Sequence, residues 1–322
     1  MKEKRVPYTN ILPICTLFVV SIVFGLISKG KTLSPNNMLS VVDQSFTVMI
    51  GGMGMIFVLC HGGIDLAIGS TACLSAFVAS RMAMNYGIIV MILVAMCVGV
   101  VVGIIAGTVV AVFKVPSFMV TVALQTGIRG IANYLAATSG IVIAPPEVQK
   151  FNNMSIKVPV VIAMLIITGY VFEYTRVGLY SKAVGENELC CKISGVNVIK
   201  VKIIDFAISG AMSGMTGIFY LARTGGMSNM IGKGLEMKVI LALLLGGVPV
   251  VGGMDSKMFK VVLGSLTVIM LENGLSVAGI TGGLYQLIEG IMLVIVCVLT
   301  TILKRRSALH DEKMMLEVNK AL

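Results

Sequence analysis

The hydrophobic pattern along the chain is a succession of apolar runs of membrane length, separated by short polar or glycine-rich intervals. Ten runs stand out, at residues 11–28, 41–60, 71–84, 88–113, 116–137, 158–172, 203–222, 239–253, 259–271 and 285–303. Several reach the roughly 18 to 20 residues with which a helix crosses a hydrocarbon core of about 30 Å. They are continuously apolar rather than alternating with period two, which argues against a transmembrane barrel. The pattern predicts an all-α, polytopic transmembrane helical bundle of about ten helices, one integral-membrane domain over residues 1–322. The runs near 239 and 259 are short enough to be half-spanning or re-entrant. An even count puts both tails on one side, and the basic start MKEKR and the run Lys304-Arg305-Arg306 make that side the cytoplasm, where basic flanks are retained.

The longest polar interval, residues 173–202, sets Arg176, Lys182, Lys192, Lys200 and Lys202 against Glu173, Glu186 and Glu188. Such a segment lies in water, since lipid satisfies neither its charges nor an irregular backbone. Its positive excess again favours the cytoplasm. Composition alone leaves two readings, a solvated connecting loop or a contact for a soluble partner. A second polar interval, 138–157 with Pro145-Pro146, reads as an extracytoplasmic loop.

Composition agrees with a membrane protein: 57% of residues are hydrophobic and 12% charged, against roughly 25% charged in an ordinary soluble domain. The net charge of +10 raises the question of nucleic acid, but the basic residues are scattered through loops without an aromatic platform, so none is expected as a partner. The seven cysteines mostly sit inside apolar runs without metal-ligand spacing and read as small buried hydrophobes. No metal and no cofactor is expected. Residues 25–32 spell GLISKGKT, a literal G-x-x-x-x-G-K-T string. A working P-loop opens directly into a phosphate-cradling helix, whereas LSPNN breaks the chain here, so nucleotide binding is not expected.

Several polar groups interrupt the spans. Asp65, bracketed by glycines between two runs, either caps the following helix or lines a pathway or gate. His61 has no second ligand in the sequence and is assigned no chemistry. Gly99, Gly103 and Gly107, four residues apart, form one small-residue face suited to close helix packing. Gln125 and Arg129 share a face at i, i+4 spacing, with Asn133 one turn further. An Arg does not face lipid, so this face points into the bundle, as pathway lining or as a structural ion pair. Glycine-rich intervals at 223–238 and 246–257 are either flexible turns or irregular backbone close to a pathway.

Five strings occurring in order carry a family resemblance: GGIDLAIGS at 62–70; KVPSFMVT at 114–121 with Arg129-Gly130 downstream; GEN at 185–187 with SGV at 194–196; GKGLEM at 232–237; and LGG at 245–247 with Gly252-Gly253. Together they resemble the permease subunits of ribose-type carbohydrate ABC importers, a family that also carries xylose, galactose and autoinducer-2. The resemblance implies a transport subunit rather than an enzyme, in a bacterial cell membrane. It would translocate a monosaccharide by alternating access, energised by a separate ATP-binding-cassette ATPase and supplied by an extracytoplasmic sugar-binding protein. It further implies a second permease copy in a homodimer, membrane lipid around it, and an architecture similar to the vitamin B12-type importer permeases. The cytoplasmic segment at about 174–203 would then hold a coupling helix within 180–196. The ATPase-coupling candidates are Tyr180, Lys182, Ala183, Gly185, Glu186, Asn187, Ser194 and Gly195. Asp65, Gln125, Arg129 and Asn133 are the candidates for pathway or gate. Cys190-Cys191 stands where many relatives have two alanines, and Met254-Asp255 where basic or glycine residues are usual.

Competing expectations keep the same mechanism for a nucleoside, inositol or autoinducer-2, or replace it with an ion-coupled secondary transporter. The second would use Asp65, Asp205, Glu272 or Glu289 as proton or sodium sites. A membrane scaffold without transport fits the hydropathy but leaves the glycine-bracketed polar turns unexplained.

Overall fold

A computed structural model describes residues 8–139, 144, 146–228, 230–250 and 252–298. The basic start, Pro145, residues 299–303 and Lys304-Arg305-Arg306 lie outside the described residues. The chain forms helices α1 (Tyr8–Ile27), α2 (Pro35–Cys60), α3 (Ile68–Val112), α4 (Ser117–Ser139), α5 (Pro146–Phe151) and α6 (Met154–Tyr174). There follow α7 (Arg176–Glu186), α8 (Glu188–Ile193), α9 (Val198–Thr224), α10 (Leu235–Leu245), α11 (Met258–Val277) and α12 (Gly283–Val298). Each of the ten apolar runs corresponds to a helical segment, with α3 containing two of them. Between the runs 71–84 and 88–113 the break is a single residue, Gly87, whose φ of 78° and ψ of 178° interrupt an otherwise continuous helix. Among the described residues, four segments are long and apolar enough to cross a membrane by length and composition: α2, the 86–112 arm of α3, α6 and α11.

The bundle is built around α2, in which every residue from 45 to 60 is buried, and which packs against α9, α11, α10, α6 and α7. Its apolar circumference with embedded glycines leaves no polar face to turn outward. Beside it, α3 and α9 touch backbone to backbone. A Cβ on Gly99 would overlap the Gly210 carbonyl, one on Gly103 that of Phe206, and one on Gly214 that of Ala95. The four-residue glycine spacing therefore does act as a packing face.

Several boundaries differ from expectation. Helix α2 begins at Pro35, six residues before the apolar run, because proline suits the first turn and Ser34 precedes it in extended conformation. The GLISKGKT string spans the end of α1 and a short 3₁₀ turn, Lys31–Leu33. Its amides are already used: Gly30 N bonds to Gly25 O, Lys31 N to Ser28 O and Thr32 N to Ser28 Oγ, leaving no open phosphate cradle there. Within the 138–157 interval, described residues form α5 and the start of α6, which is capped by Asn153 accepting from Ser155 N at 3.0 Å. Lys157 lies inside α6, buried and ion-paired with Asp43, so this is not solvated loop. Of the two short runs, α11 has 20 residues. Helix α10 has 11, about 16 Å of rise and roughly half a bilayer core.

Candidate functional site: a clamped helix pair beside the α2 terminus

The polar stretch between α6 and α9 folds as two short helices broken at Asn187, whose φ of −158° and ψ of 101° are extended. Asn187 caps α8 by accepting from Cys190 N at 2.9 Å. The buried side of the pair is a small apolar cluster of Val184, Cys191, Val198 and Val201, with Tyr180 and Ala183 packed against it. Its outer side carries Leu189 and Ile193, one helical turn apart and 66% and 79% exposed. Two large apolar side chains thus stand exposed on one side of a capped helix. Glu188 steadies them from the rim, accepting from Lys192 at 2.6 Å and Lys202 at 2.8 Å. These two hydrogen bonds hold its carboxyl down to about 2, so both pairs persist at neutral pH and weaken only in strong acid.

Helix α7 is clamped to the α10–α11 loop and to the end of α2. Glu186 Oε1 accepts from Met254 N at 2.8 Å, and Gly253 N donates to Cys60 O at 2.9 Å. Gly185 lies against that junction so closely that a Cβ would overlap Cys60 O and sit 3.0 Å from Gly253 N. One helical element below, Glu173 accepts from Met258 N at 2.9 Å with one oxygen and from Lys182 Nζ at 2.6 Å with the other. Lys182 Nζ also lies 4.2 Å from the Phe172 ring centroid. The far side of the loop is tied down by buried Lys260, whose Nζ donates to Gly247 O at 3.0 Å and Asp255 O at 2.8 Å. Ser181 Oγ donates to Asp205 Oδ1 at 2.7 Å, and His61 Nε2 stands 3.7 Å from Asp205 Oδ2. Helix α7 is thus tied to the end of α2, the start of α11 and α9 at once.

The sequence-derived coupling residues divide accordingly. Glu186, Asn187, Ser194 and Gly195 are exposed, Tyr180, Ala183 and Gly185 are half-buried, and Lys182 is buried. Gly185 and Glu186 are engaged by the protein's own turns, while the exposed apolar pair Leu189 and Ile193 was missed. The signal for it was present, two branched aliphatics four residues apart in a polar interval. His61 likewise acquires a neighbour, Asp205, that lies far away in sequence.

The pathway candidates do not converge. Asp65 is buried with both oxygens satisfied, Oδ1 by Ala67 N at 3.0 Å and Oδ2 by Ser209 Oγ at 2.7 Å, so it stabilises the turn before α3 and ties it to α9. Gln125 Nε2 donates to Glu236 Oε1 at 2.7 Å and Arg129 Nη1 to Ile231 O at 2.8 Å, so this face of α4 does turn inward, toward the start of α10. Asn133 is exposed on α4. Among the ion-site rivals, Glu272 pairs with Lys238 at 2.6 Å. Among the described residues no group of three His, Cys, Asp or Glu side chains has metal-binding geometry.

Residues 37–297 match the family described as branched-chain amino acid transport system permease component. The chain belongs to this permease family. Its members are transport subunits, and the match spans nearly every helix described above. Relatives include the probable ABC transporter permease protein YphD of Escherichia coli, 32% identical over 90% of this chain and 89% of the relative. The ribose import permease protein RbsC of Bacillus subtilis is 30% identical over 92% and 96%. The galactofuranose transporter permease protein YtfT of Escherichia coli is 27% identical over 81% and 78%. No solved structure shows a significant match.

Proposed function

We propose that this permease is the membrane subunit of a binding-protein-dependent ABC importer that carries a monosaccharide into the cell by alternating access. Near full-length similarity to permeases named for ribose and galactofuranose is the observation that carries this reading. Leu189 and Ile193 on α8 dock into a groove of a separate ATP-binding-cassette subunit, which places α8 and both termini in the cytoplasm. ATP-driven closure of that partner pushes α8. The clamp of Gly185, Glu186 and Glu173 passes the displacement to the ends of α2 and α11, reorienting the helices that enclose the translocation pathway. An extracytoplasmic sugar-binding protein supplies cargo and selects the opposite conformer, as a population shift between two states requires. A second copy of the chain completes the pathway as a homodimer.

The test is uptake of radiolabelled ribose, galactose and fructose into proteoliposomes holding the permease, its ATPase and its binding protein. Uptake of at least one sugar is expected only with ATP and both partners present. Transport by the permease alone under a proton or sodium gradient would contradict it, and uptake of a nucleoside or inositol in place of every sugar would change the cargo but not the mechanism.

A further inference from the structure

Beside α8, on its α3–α4 side, lies a cavity of about 810 Å³ that the coupling scheme does not use. Its polar lining holds Lys114, Lys192 and Lys202 with one carboxylate, Glu188, so the charge there is positive by two. Glu188 is shared between Lys192 and Lys202, while Lys114 makes no ion pair among the described residues. Lys114 is held in a left-handed conformation, φ 56°, at the turn after α3. His61 also lines the cavity, but its side chain is 2% exposed and its Nε2 faces the buried Asp205 carboxylate at 3.7 Å, so the lysines carry the charge of the site. Three lysines sharing one carboxylate leave the concavity with an excess of two positive charges, which calls for an anionic, oxygen-rich ligand.

The walls narrow the choice. Val112 and Phe118 contribute apolar surface to the same cavity. Phe113, adjoining Lys114, is 70% exposed. Above it the outward face of α3 is a stripe of exposed Val101, Ile104, Ile105 and Val112, spaced as one side of a helix. This bare apolar face runs from within a membrane-length helix down to the basic cavity. A water-soluble anion would have no use for it, whereas a phospholipid places acyl chains on such a stripe and its phosphate among the lysines.

We infer that this cavity is a seat for the headgroup of an anionic phospholipid of the cytoplasmic leaflet, next to the coupling helix. The assignment of leaflet rests on the orientation proposed above; the chemistry does not. Bound there, the phosphate would bridge Lys114 of the α3–α4 turn to Lys192 of α8 and Lys202 of α9, so lipid composition would bear on how firmly α8 is held.

The full-length permease is to be extracted from phosphatidylglycerol/phosphatidylcholine nanodiscs, and the retained lipids counted by native mass spectrometry. Wild type is expected to retain phosphatidylglycerol preferentially. A Lys114→Gln, Lys202→Gln double variant should lose that preference by about thirtyfold, the loss expected for two lysines near an anionic surface. Lys200→Gln, which removes an exposed lysine outside the cavity, should leave it unchanged. Equal retention by wild type and the double variant, or an equal fall with Lys200→Gln, would overturn the inference. Displacement of the retained lipid by millimolar inorganic phosphate would reassign the site to a soluble anion. Unchanged lipid retention with loss of the ATPase or of the second permease copy would make the cavity a protein contact instead. A transporter inactive on sugar but still selective for phosphatidylglycerol would refute the transport proposal and leave the lipid seat standing.

Discussion

Gly185→Val is expected to lower ATP-driven uptake by roughly fivefold to a hundredfold while leaving the bundle folded. A Cβ at this position falls on the Cys60 carbonyl, with Gly253 N close behind, and both are backbone atoms that cannot swing aside. The substitution therefore separates α7 from the end of α2 and breaks the Gly253 N to Cys60 O hydrogen bond that closes the junction. Overpacking of this kind costs about 1–3 kcal/mol, which at about 1.4 kcal/mol per decade is between roughly fivefold and a hundredfold in the population of the clamped state. The contact lies at one end of the bundle, away from the α3–α9 seam, so thermal unfolding in detergent should shift little. Gly195→Ala is the matched comparison. Gly195 has φ 82°, but no atom lies within 4 Å of where its Cβ would stand, so only backbone strain of about 1 kcal/mol is added. Uptake measured side by side should fall severely for Gly185→Val and mildly for Gly195→Ala. Equal activity in the two would mean that the junction transmits nothing.

Leu189→Asp combined with Ile193→Asp should release the ATPase subunit. Both side chains are exposed, so their replacement should leave the permease's own stability within about 0.5 kcal/mol. At a docking surface the same residues act as apolar anchors, and losing anchors worth about 2 kcal/mol or more lowers affinity by at least about thirtyfold. Co-purification and surface binding measure this directly. Retained ATPase binding in the double variant would move the docking surface elsewhere on the chain.

Hydrophobic periodicity made most of the fold legible, because a membrane leaves only continuous apolar helices as an economical solution. Each apolar run is a helix, and Gly99, Gly103 and Gly107 announced the α3–α9 contact without naming the partner. What escaped was set by long-range pairing. Lys157 looked like a loop residue because its ion-pair partner, the half-buried Asp43, lies 114 residues away. Helix α5 was hidden in a polar interval whose local composition resembles a turn. In the polar segment at 173–202, small residues drew attention to Gly185 and Gly195 alike, and only the fold separates the packed one from the free one. Leu189 and Ile193 carried a local signal, their four-residue spacing in a polar interval, but that spacing does not say whether the pair faces inward or outward, and the fold shows it outward. Asp65 had two readings in the sequence, and its hydrogen bonds to Ala67 and Ser209 favour the structural one.

The contact between α8 and the ATPase is tested most directly through Cys190, an exposed free thiol between Leu189 and Ile193. With the other exposed cysteines, Cys15 and Cys97, replaced by alanine, Cys190 is to be labelled with a photoactivatable maleimide in the assembled transporter. Irradiation should yield a permease–ATPase adduct whose amount changes when ATP is added. An adduct with the external binding protein, or none with the ATPase in a complex that still hydrolyses ATP, would put α8 on the wrong face of the membrane and contradict the account.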